Sequence, residues 1–287
     1  MISNLVLKRR ISLGKDKVTR NGIQIKDFNI IEKEIENYRF SNRLILPEVW
    51  EFEQLSEIVT QYDFLLVSYE GLIKEFISCF EKEHPIVHND MLISLGVFNI
   101  FRAIYHDLIV IRNCLSSRLE IQTNTVSRAF IEKSRILLLF SIDKEYAFDF
   151  ISNVKKIDSY DRYSKYYKPS EVKKRILEIV KKEDKYKSLK YLLNENMNKK
   201  YSYLSEFAHL DIYSIMQYSF NKETGFNISE KLNESSLFYT MGENFAEYVL
   251  LVFSDFINLI NGDIKRKEFN YYELGAYYLG FIEEIYK

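Results

Sequence analysis

Apolar residues recur at helical spacing along most of this chain. In PEVWEFEQLSEIVTQYDFLLVSYEGLIKEFISCFEKE, which begins at Pro47, they return every three or four positions, as expected for one buried helix face. Pro47 suits a first helical turn, and the pair His84-Pro85 ends the pattern. The same spacing predicts further helices at about 89–117, 123–143, 144–155, 201–215, 232–261 and 268–286. A new helix is expected to start at Pro169, the highly charged region 171–200 is expected to form an exposed helical hairpin, and NKETGFNIS is expected to be a loop.

The composition favours helices over sheets. The 287 residues include nine glycines and three prolines, fewer than the many tight turns of a sandwich or barrel require. We therefore predict an all-α fold, a multi-helix bundle of roughly seven to ten helices, with residues 46–287 as a single α-helical domain. Two smaller bundles are the alternative, because the chain length is near the upper limit for one hydrophobic core.

Residues 1–45 differ from the rest, and we predict a short irregular or hairpin N-terminal arm there. The arm either packs loosely on the bundle or contacts RNA, DNA or an acidic partner. Its first twenty residues contain one acid, Asp16, and six basic residues: Lys8, Arg9, Arg10, Lys15, Lys17 and Arg20.

Charge and hydropathy exclude several function classes. The formal net charge of −1 gives no global attraction to nucleic acid or membrane. The longest apolar runs are interrupted by charges such as Arg102 and Asp255, so we expect no membrane span and, without a signal-peptide pattern, a cytoplasmic protein. We expect no cofactor, because there is no Gly-rich phosphate loop. We also expect no metal site, because Pro85 breaks the helical spacing of His84 and His88.

One predicted helix carries a polar stripe. In VSRAFIEKSRILLLF, with Thr123 or Thr125 as the expected N-cap, Arg128, Glu132 and Arg135 are spaced i, i+4, i+7 and share one face. The stripe is either an exposed ladder of ion pairs, each worth about 0.2–0.5 kcal/mol, or a buried network. Buried networks of this kind fix helix register, bind an anion or support chemistry.

A second apolar helix, YSYLSEFAHLDIYSI, carries candidate partners for this stripe. Ser205 and His209 are spaced i, i+4, and Glu206 lies beside them. If the two helices face each other, Arg, Glu, Ser and His side chains form one polar cluster. His209 is then either a core histidine or a group that transfers protons near neutral pH. A Ser-His-acid hydrolase is excluded, because the chain has no GxSxG turn.

Arg102 and His106 form a third candidate pair on one helix face. They resemble the Arg-x4–6-His ribonuclease motif of HEPN domains, in which Arg holds a phosphate and His moves a proton. Here only three residues separate the pair, and no Asn, Asp or His follows the Arg.

A longer set of motifs resembles a group of bacterial all-helical, HEPN-like proteins that are often associated with defence. The resemblance implies an α-helical fold and a role in phage defence. Its motifs here are Arg128-x-x-x-Glu132, LLLF, Asp143, Ala147-Phe148-Asp149-Phe150, and the series Tyr201, Leu204, Ser205 and His209.

Together these observations give one leading hypothesis and one alternative. The chain is a HEPN-like effector or accessory protein whose pocket binds an RNA or nucleotide phosphate; if it is an enzyme, it is ribonuclease-like. Arg128 or Arg135 neutralises the phosphate, Glu132 holds the arginine, and His209 transfers the proton. Ser205, with Arg102 and His106, completes the ligand-binding set.

The alternative is a non-enzymatic protein interaction module whose polar cluster is structural. Its contact surface is then the basic arm or the charged region 155–200. We also expect a homo-oligomer, because the C-terminal NYYELGAYYLGFIEEIY is unusually aromatic. The same aromatic side chains would equally pack on the bundle.

Overall fold

Two long helices joined by a short turn form the centre of the fold. In the computed structural model, the described residues are 28–44, 59–60, 62–63, 65–67, 69–74, 77, 88–117, 119–153, 156–182, 201–202, 204–205, 220–221 and 225–226. We label the first helix, Phe28–Ser41, α1, and the two central helices α2, His88–Ser116, and α3, Glu120–Ile142. The helices α2 and α3 pack along one another, as in an αα-hairpin. Lys133 of α3 holds both carboxylate oxygens of Asp107 of α2, at 2.8 and 2.6 Å.

The start of α3 differs from its sequence-based prediction. The helix begins at Glu120, and its N-cap residue Leu119 makes no side-chain cap hydrogen bond. Thr123 instead lies inside the helix and is buried. Its hydroxyl donates to the carbonyl of Leu119 at 2.7 Å, and Ser127 and Ser134 make the same bond four residues back. These bonds satisfy hydroxyls that would be costly to bury alone, so threonine is tolerated within the helix and does not mark its start.

The helix α1 corrects the predicted N-terminal arm. Residues 28–41 were expected to belong to an irregular or hairpin arm, yet they form a helix. Its Ile35 and Tyr38 are in the core, and the Tyr38 hydroxyl lies 2.7 Å from that of Tyr105 in α2. Burial of an apolar face therefore extends the packed part of the chain toward the N-terminus. Residues 1–27 lie outside the described residues.

Three shorter helical segments follow α3. Helix α4 is Lys144–Asn153, α5 is the single turn Ser159–Arg162, and a π-helical turn at Tyr163–Tyr167 leads into α6, Pro169–Lys182. Asp143 lies at the junction of these elements. One of its carboxylate oxygens accepts the backbone N–H of Tyr146 at 2.9 Å, capping α4. The other accepts Nε of Arg175 in α6 at 2.6 Å.

The helix α6 is the described part of the predicted charged helical hairpin. It begins at Pro169 as expected, but it is not wholly exposed, because Val172, Ile176 and Val180 are buried. The spacing of these residues forms one apolar face that packs on α3. Residues 183–200 lie outside the described residues, as do the predicted helices 232–261 and 268–286 and the aromatic C-terminal residues.

The described residues confirm the all-α class. Apart from the helices they contain one short antiparallel pairing, Phe220–Asn221 with Gly225–Phe226, in a segment expected to be a loop. None of the described helices is both long enough and apolar enough to cross a membrane. The core is continuous through α1, the described helical residues between 59 and 74, and α2, α3, α4 and α6. Its largest fully buried members are Arg112, Tyr62, Tyr69, Tyr166, Phe101, Phe130 and Phe140.

Candidate functional site

The polar stripe of α3 lies against Tyr201, a residue of the predicted helix YSYLSEFAHLDIYSI. Nε of Arg128 donates to Oε1 of Glu132 at 3.1 Å. The hydroxyl of Tyr201 donates to the same oxygen. Positions 201, 202, 204 and 205 are helical, so the facing arrangement expected from the two motif-bearing helices is present where the structure describes it. We call Arg128, Glu132, Arg135 and Tyr201 the α3 cluster.

Both arginines of the α3 cluster stack on one aromatic ring. The guanidinium carbon of Arg135 lies 4.7 Å from the centre of the Tyr201 ring, and that of Arg128 lies 5.7 Å from it. Cation–π contacts at these distances contribute about 0.5–2 kcal/mol, more as water is excluded. Two positive charges therefore meet one carboxylate, and the cluster carries a net charge of about +1 at neutral pH.

Burial and hydrogen bonding set the protonation states of these groups. Burial and the bond to Glu132 raise the pKa of Tyr201 to about 12, so its phenol is a donor at neutral pH. Partial burial would lower the pKa of Arg128, but the bonds to Tyr201 and Glu132 outweigh it and the pKa is raised. Burial lowers the pKa of Arg135, against the opposing effect of Tyr201 and Glu132. An arginine nevertheless keeps its proton in a protein.

The α3 cluster is sealed on one side and open on the other. Arg135 is 2% exposed, whereas the side chains of Arg128 and Glu132 are 17% and 32% exposed. The Arg135 guanidinium is thus shielded from water, and its charge interacts with nearby groups more strongly than it would in water. The open edge, at Arg128 and Glu132, is where a ligand has access.

Asn124 adds a donor to the same helix face. It lies one helical turn before Arg128 and is 1% exposed. Its amide nitrogen Nδ2 has no hydrogen-bond partner in the part of the chain that the structure describes. An unsatisfied buried donor costs about 1–3 kcal/mol, which an acceptor such as a phosphate oxygen would recover. Sequence reasoning missed Asn124, although its i−4 spacing to Arg128 is visible in the sequence.

The remaining predicted site residues are placed less favourably or are not described. Ser205 lies one turn beyond Tyr201, and its hydroxyl donates to the Tyr201 carbonyl at 2.9 Å. Arg102 and His106 are exposed on α2, and no hydrogen bond, ion pair or ring contact among the described residues joins them to the α3 cluster. His209 lies outside the described residues.

A second charged cluster, which sequence analysis did not identify, is wholly buried. The carboxylate of Asp63 accepts Nε of Arg39 and Nε of Arg112, each at 2.7 Å. Arg112 also donates to Ser116 at 3.1 Å, and Arg39 donates to Thr60 at 3.4 Å. Asp63 and Arg112 are 0% exposed and Arg39 is 7% exposed. The carboxylate ties α1, the helical residues near 63 and α2 together, and its closure to solvent indicates a structural role.

Comparison with protein-family models, curated proteins and solved structures finds no match to this chain.

Proposed function

We propose that this chain is a HEPN-like helical protein that binds a phosphate-bearing ligand, RNA or a nucleotide, at the α3 cluster. The defence role, as an effector or accessory protein, and the HEPN-like assignment rest on the resemblance of sequence motifs alone. The anion-binding role rests on geometry. Its main support is that, among the described residues of the α3 cluster, two guanidiniums meet one carboxylate, with Arg128 at the partly exposed edge.

The donors of the cluster suit a phosphate better than another carboxylate of the protein. Arg128 is the guanidinium at the exposed edge, and Arg135 and the Asn124 amide lie buried on the same helix face. Among the described residues of this face, Glu132 is the one acid. Guanidinium groups bind phosphate oxygens in charge-assisted hydrogen bonds, which are roughly twice as strong as neutral ones. The ring of Tyr201 holds both guanidiniums in place before a ligand arrives, so less side-chain entropy is lost on binding.

Replacing Arg128 by Gln tests the anion site. We expect Arg128→Gln to weaken binding of a labelled single-stranded RNA and to reduce the slope of log Kd against log salt by about 0.7, because one phosphate contact is lost. Fluorescence anisotropy over a range of NaCl concentrations measures both. The matched control is Arg43→Gln, which removes one exposed arginine at the end of α1. Equal slopes for the two variants would contradict the proposal.

A structural role of the cluster is the second candidate, and the burial of Arg135 favours it. If Arg128, Glu132 and Tyr201 only fix how their helices pack, the protein acts as a non-enzymatic interaction module. Arg128→Gln then lowers the urea midpoint of unfolding and leaves the RNA affinity equal to that of Arg43→Gln. The same two variants therefore distinguish binding from scaffolding.

The ribonuclease form of the proposal depends on His209. We expect inducible expression of the wild-type chain in bacteria to fragment RNA, and His209→Ala to abolish cleavage at equal protein level, because the proton-transfer group is gone. His106→Ala, assayed alongside, tests the exposed Arg102–His106 pair. Unchanged cleavage by His209→Ala would reject its catalytic role, and intact RNA with the wild-type protein would contradict a constitutive nuclease.

A further inference from the structure

The segment 156–182 is basic although the chain is not. It contains nine Lys or Arg residues and four Asp or Glu residues, a net charge of +5, whereas the whole chain carries −1. The segment comprises α5, the π-helical turn and α6. Two of its cations are paired with carboxylates outside the segment, Lys165 with Asp149 at 2.7 Å and Arg175 with Asp143 at 2.6 Å. The remaining excess of positive charge in one stretch of the fold is the electrostatic pattern of a polyanion-binding segment.

Two tyrosines are exposed within this basic segment. Tyr160 is 76% exposed and Tyr163 is 50% exposed, and they are three residues apart on successive helical turns, which places them on one side. No hydrogen bond or ring contact to a described residue occupies the side chain of Tyr160. Exposed Lys156, Lys165 and Lys168 flank them. We call Tyr160, Tyr163 and these three lysines the tyrosine platform.

The π-helical turn that carries Tyr163 is bonded to α4 on its inner side. Tyr166, in the same turn, points into the protein and is 1% exposed. Its hydroxyl donates to Asp149 at 2.6 Å, and its carbonyl accepts the hydroxyl of Tyr146 at 2.8 Å. Because the inner side of the turn is bonded to α4, the outer rings are presented on a rigid support, which lowers the entropic cost of stacking.

The apolar face of the neighbouring helix α6 is not available to bind a membrane. A basic amphipathic helix binds a lipid surface by burying its apolar face in the interface. In α6 that face is already used, since Val172, Ile176 and Val180 are 3%, 0% and 1% exposed. The exposed residues of α6 are polar or charged: Ser170, Glu171, Lys174, Arg175, Glu178, Lys181 and Lys182.

We propose that the tyrosine platform binds single-stranded nucleic acid, with unpaired bases stacked on Tyr160 and Tyr163 and the backbone phosphates near the lysines. Every base has a face that stacks on an aromatic ring, so this contact is tolerant of sequence. Bases in a duplex are already stacked on each other and are not available to the tyrosines. The proposal rests on the proposed function only in taking RNA as the ligand, and it adds a contact surface outside the α3 cluster.

The test measures the Kd of ring-deleting and ring-retaining variants for single-stranded and for duplex RNA. We expect Tyr160→Ala to raise the Kd for a labelled single-stranded RNA about 5- to 150-fold, and to leave the Kd for the same sequence as a duplex unchanged. Tyr160→Phe retains the ring and is expected to bind as the wild type does. Phe40→Ala is the matched control, because Phe40 of α1 is 87% exposed and lies outside the platform.

Each outcome decides between the alternatives. Equal single-strand affinities for Tyr160→Ala and Phe40→Ala, or an equal loss with duplex, would overturn the stacking proposal. Sedimentation with phosphatidylserine vesicles that Tyr160→Ala abolishes, without any change in RNA affinity, would assign the platform to membranes instead. If Tyr160→Ala weakens single-stranded RNA binding as expected and Arg128→Gln leaves it unchanged, the platform is retained and the α3 site is rejected. If Arg128→Gln weakens RNA binding and Tyr160→Ala leaves it unchanged, only the platform is rejected.

Discussion

A buried carboxylate, Asp63, links three parts of the core of this protein. Asp63 receives two arginines at 2.7 Å from different parts of the chain. The desolvation cost of such groups is several kcal/mol per ion, so the cluster as a whole adds little net stability over an apolar core. The Asp63 carboxylate instead neutralises part of the positive charge of the two buried guanidiniums. Without it, two buried positive charges would be left without a counter-ion among these residues.

Replacing Asp63 by Asn therefore destabilises the fold far more than removing a surface pair. We expect Asp63→Asn to reduce the free energy of unfolding by about 3–5 kcal/mol, a large share of the roughly 5–15 kcal/mol of a typical domain. Urea unfolding followed by circular dichroism measures the change. Glu70→Gln, which removes the partly buried i, i+4 partner of exposed Lys74, is the control and is expected to cost about 0.3–0.5 kcal/mol. Similar urea midpoints for both variants would contradict a structural role for Asp63.

At the scale of elements, apolar periodicity predicts the helices better than it predicts their boundaries or partners. The predicted helices 89–117 and 144–155 correspond closely to α2 and α4, because each carries apolar side chains at helical spacing. The predicted start of α3 was wrong by about one turn, because Thr123 bonds back to a carbonyl and does not cap. The π-helical turn at Tyr163 was not predicted, since its extra residue leaves no periodic signal.

The candidate site was predictable only in the part that local spacing determines. The i, i+4 and i+7 positions placed Arg128, Glu132 and Arg135 on one face, and the structure agrees. Tyr201 was noticed only as part of a motif, because a contact across 69 residues depends on how helices pack. The Asp63 cluster joins residues 24 and 49 positions apart and has no local pattern. Tertiary pairing of charges follows the fold and cannot be obtained from periodicity alone.

At the scale of the whole molecule, a formal net charge near zero conceals an uneven distribution. The segment 156–182 carries +5 while the chain carries −1, so the remaining residues are acidic overall. An anionic ligand is attracted to this segment more than to the chain as a whole. The N-terminal residues 1–20 are a second basic segment, and the two segments compete as the first point of contact.

Charge removal at each basic segment identifies which one captures RNA. Lys168, Lys174 and Lys181 are exposed, and none of them makes an ion pair with a described residue. We expect their combined replacement by Gln to lower the association rate of a labelled single-stranded RNA at low salt by about 10-fold, because electrostatic steering is lost. The matched variant replaces Lys8, Lys15 and Lys17 by Gln. Both take the formal net charge from −1 to −4, so a difference between them reflects position and not total charge.

The rate constants from stopped-flow fluorescence separate the two surfaces. If 156–182 is the capture surface, the variant at Lys168, Lys174 and Lys181 associates slowly while the N-terminal variant keeps the wild-type rate. Raising the salt concentration then removes the difference, since the Debye length falls from about 30 Å at 0.01 M to about 3 Å at 1 M. A larger loss for the N-terminal variant would assign capture to the first twenty residues. The tyrosine platform would then bind bases only after the ligand has been captured elsewhere.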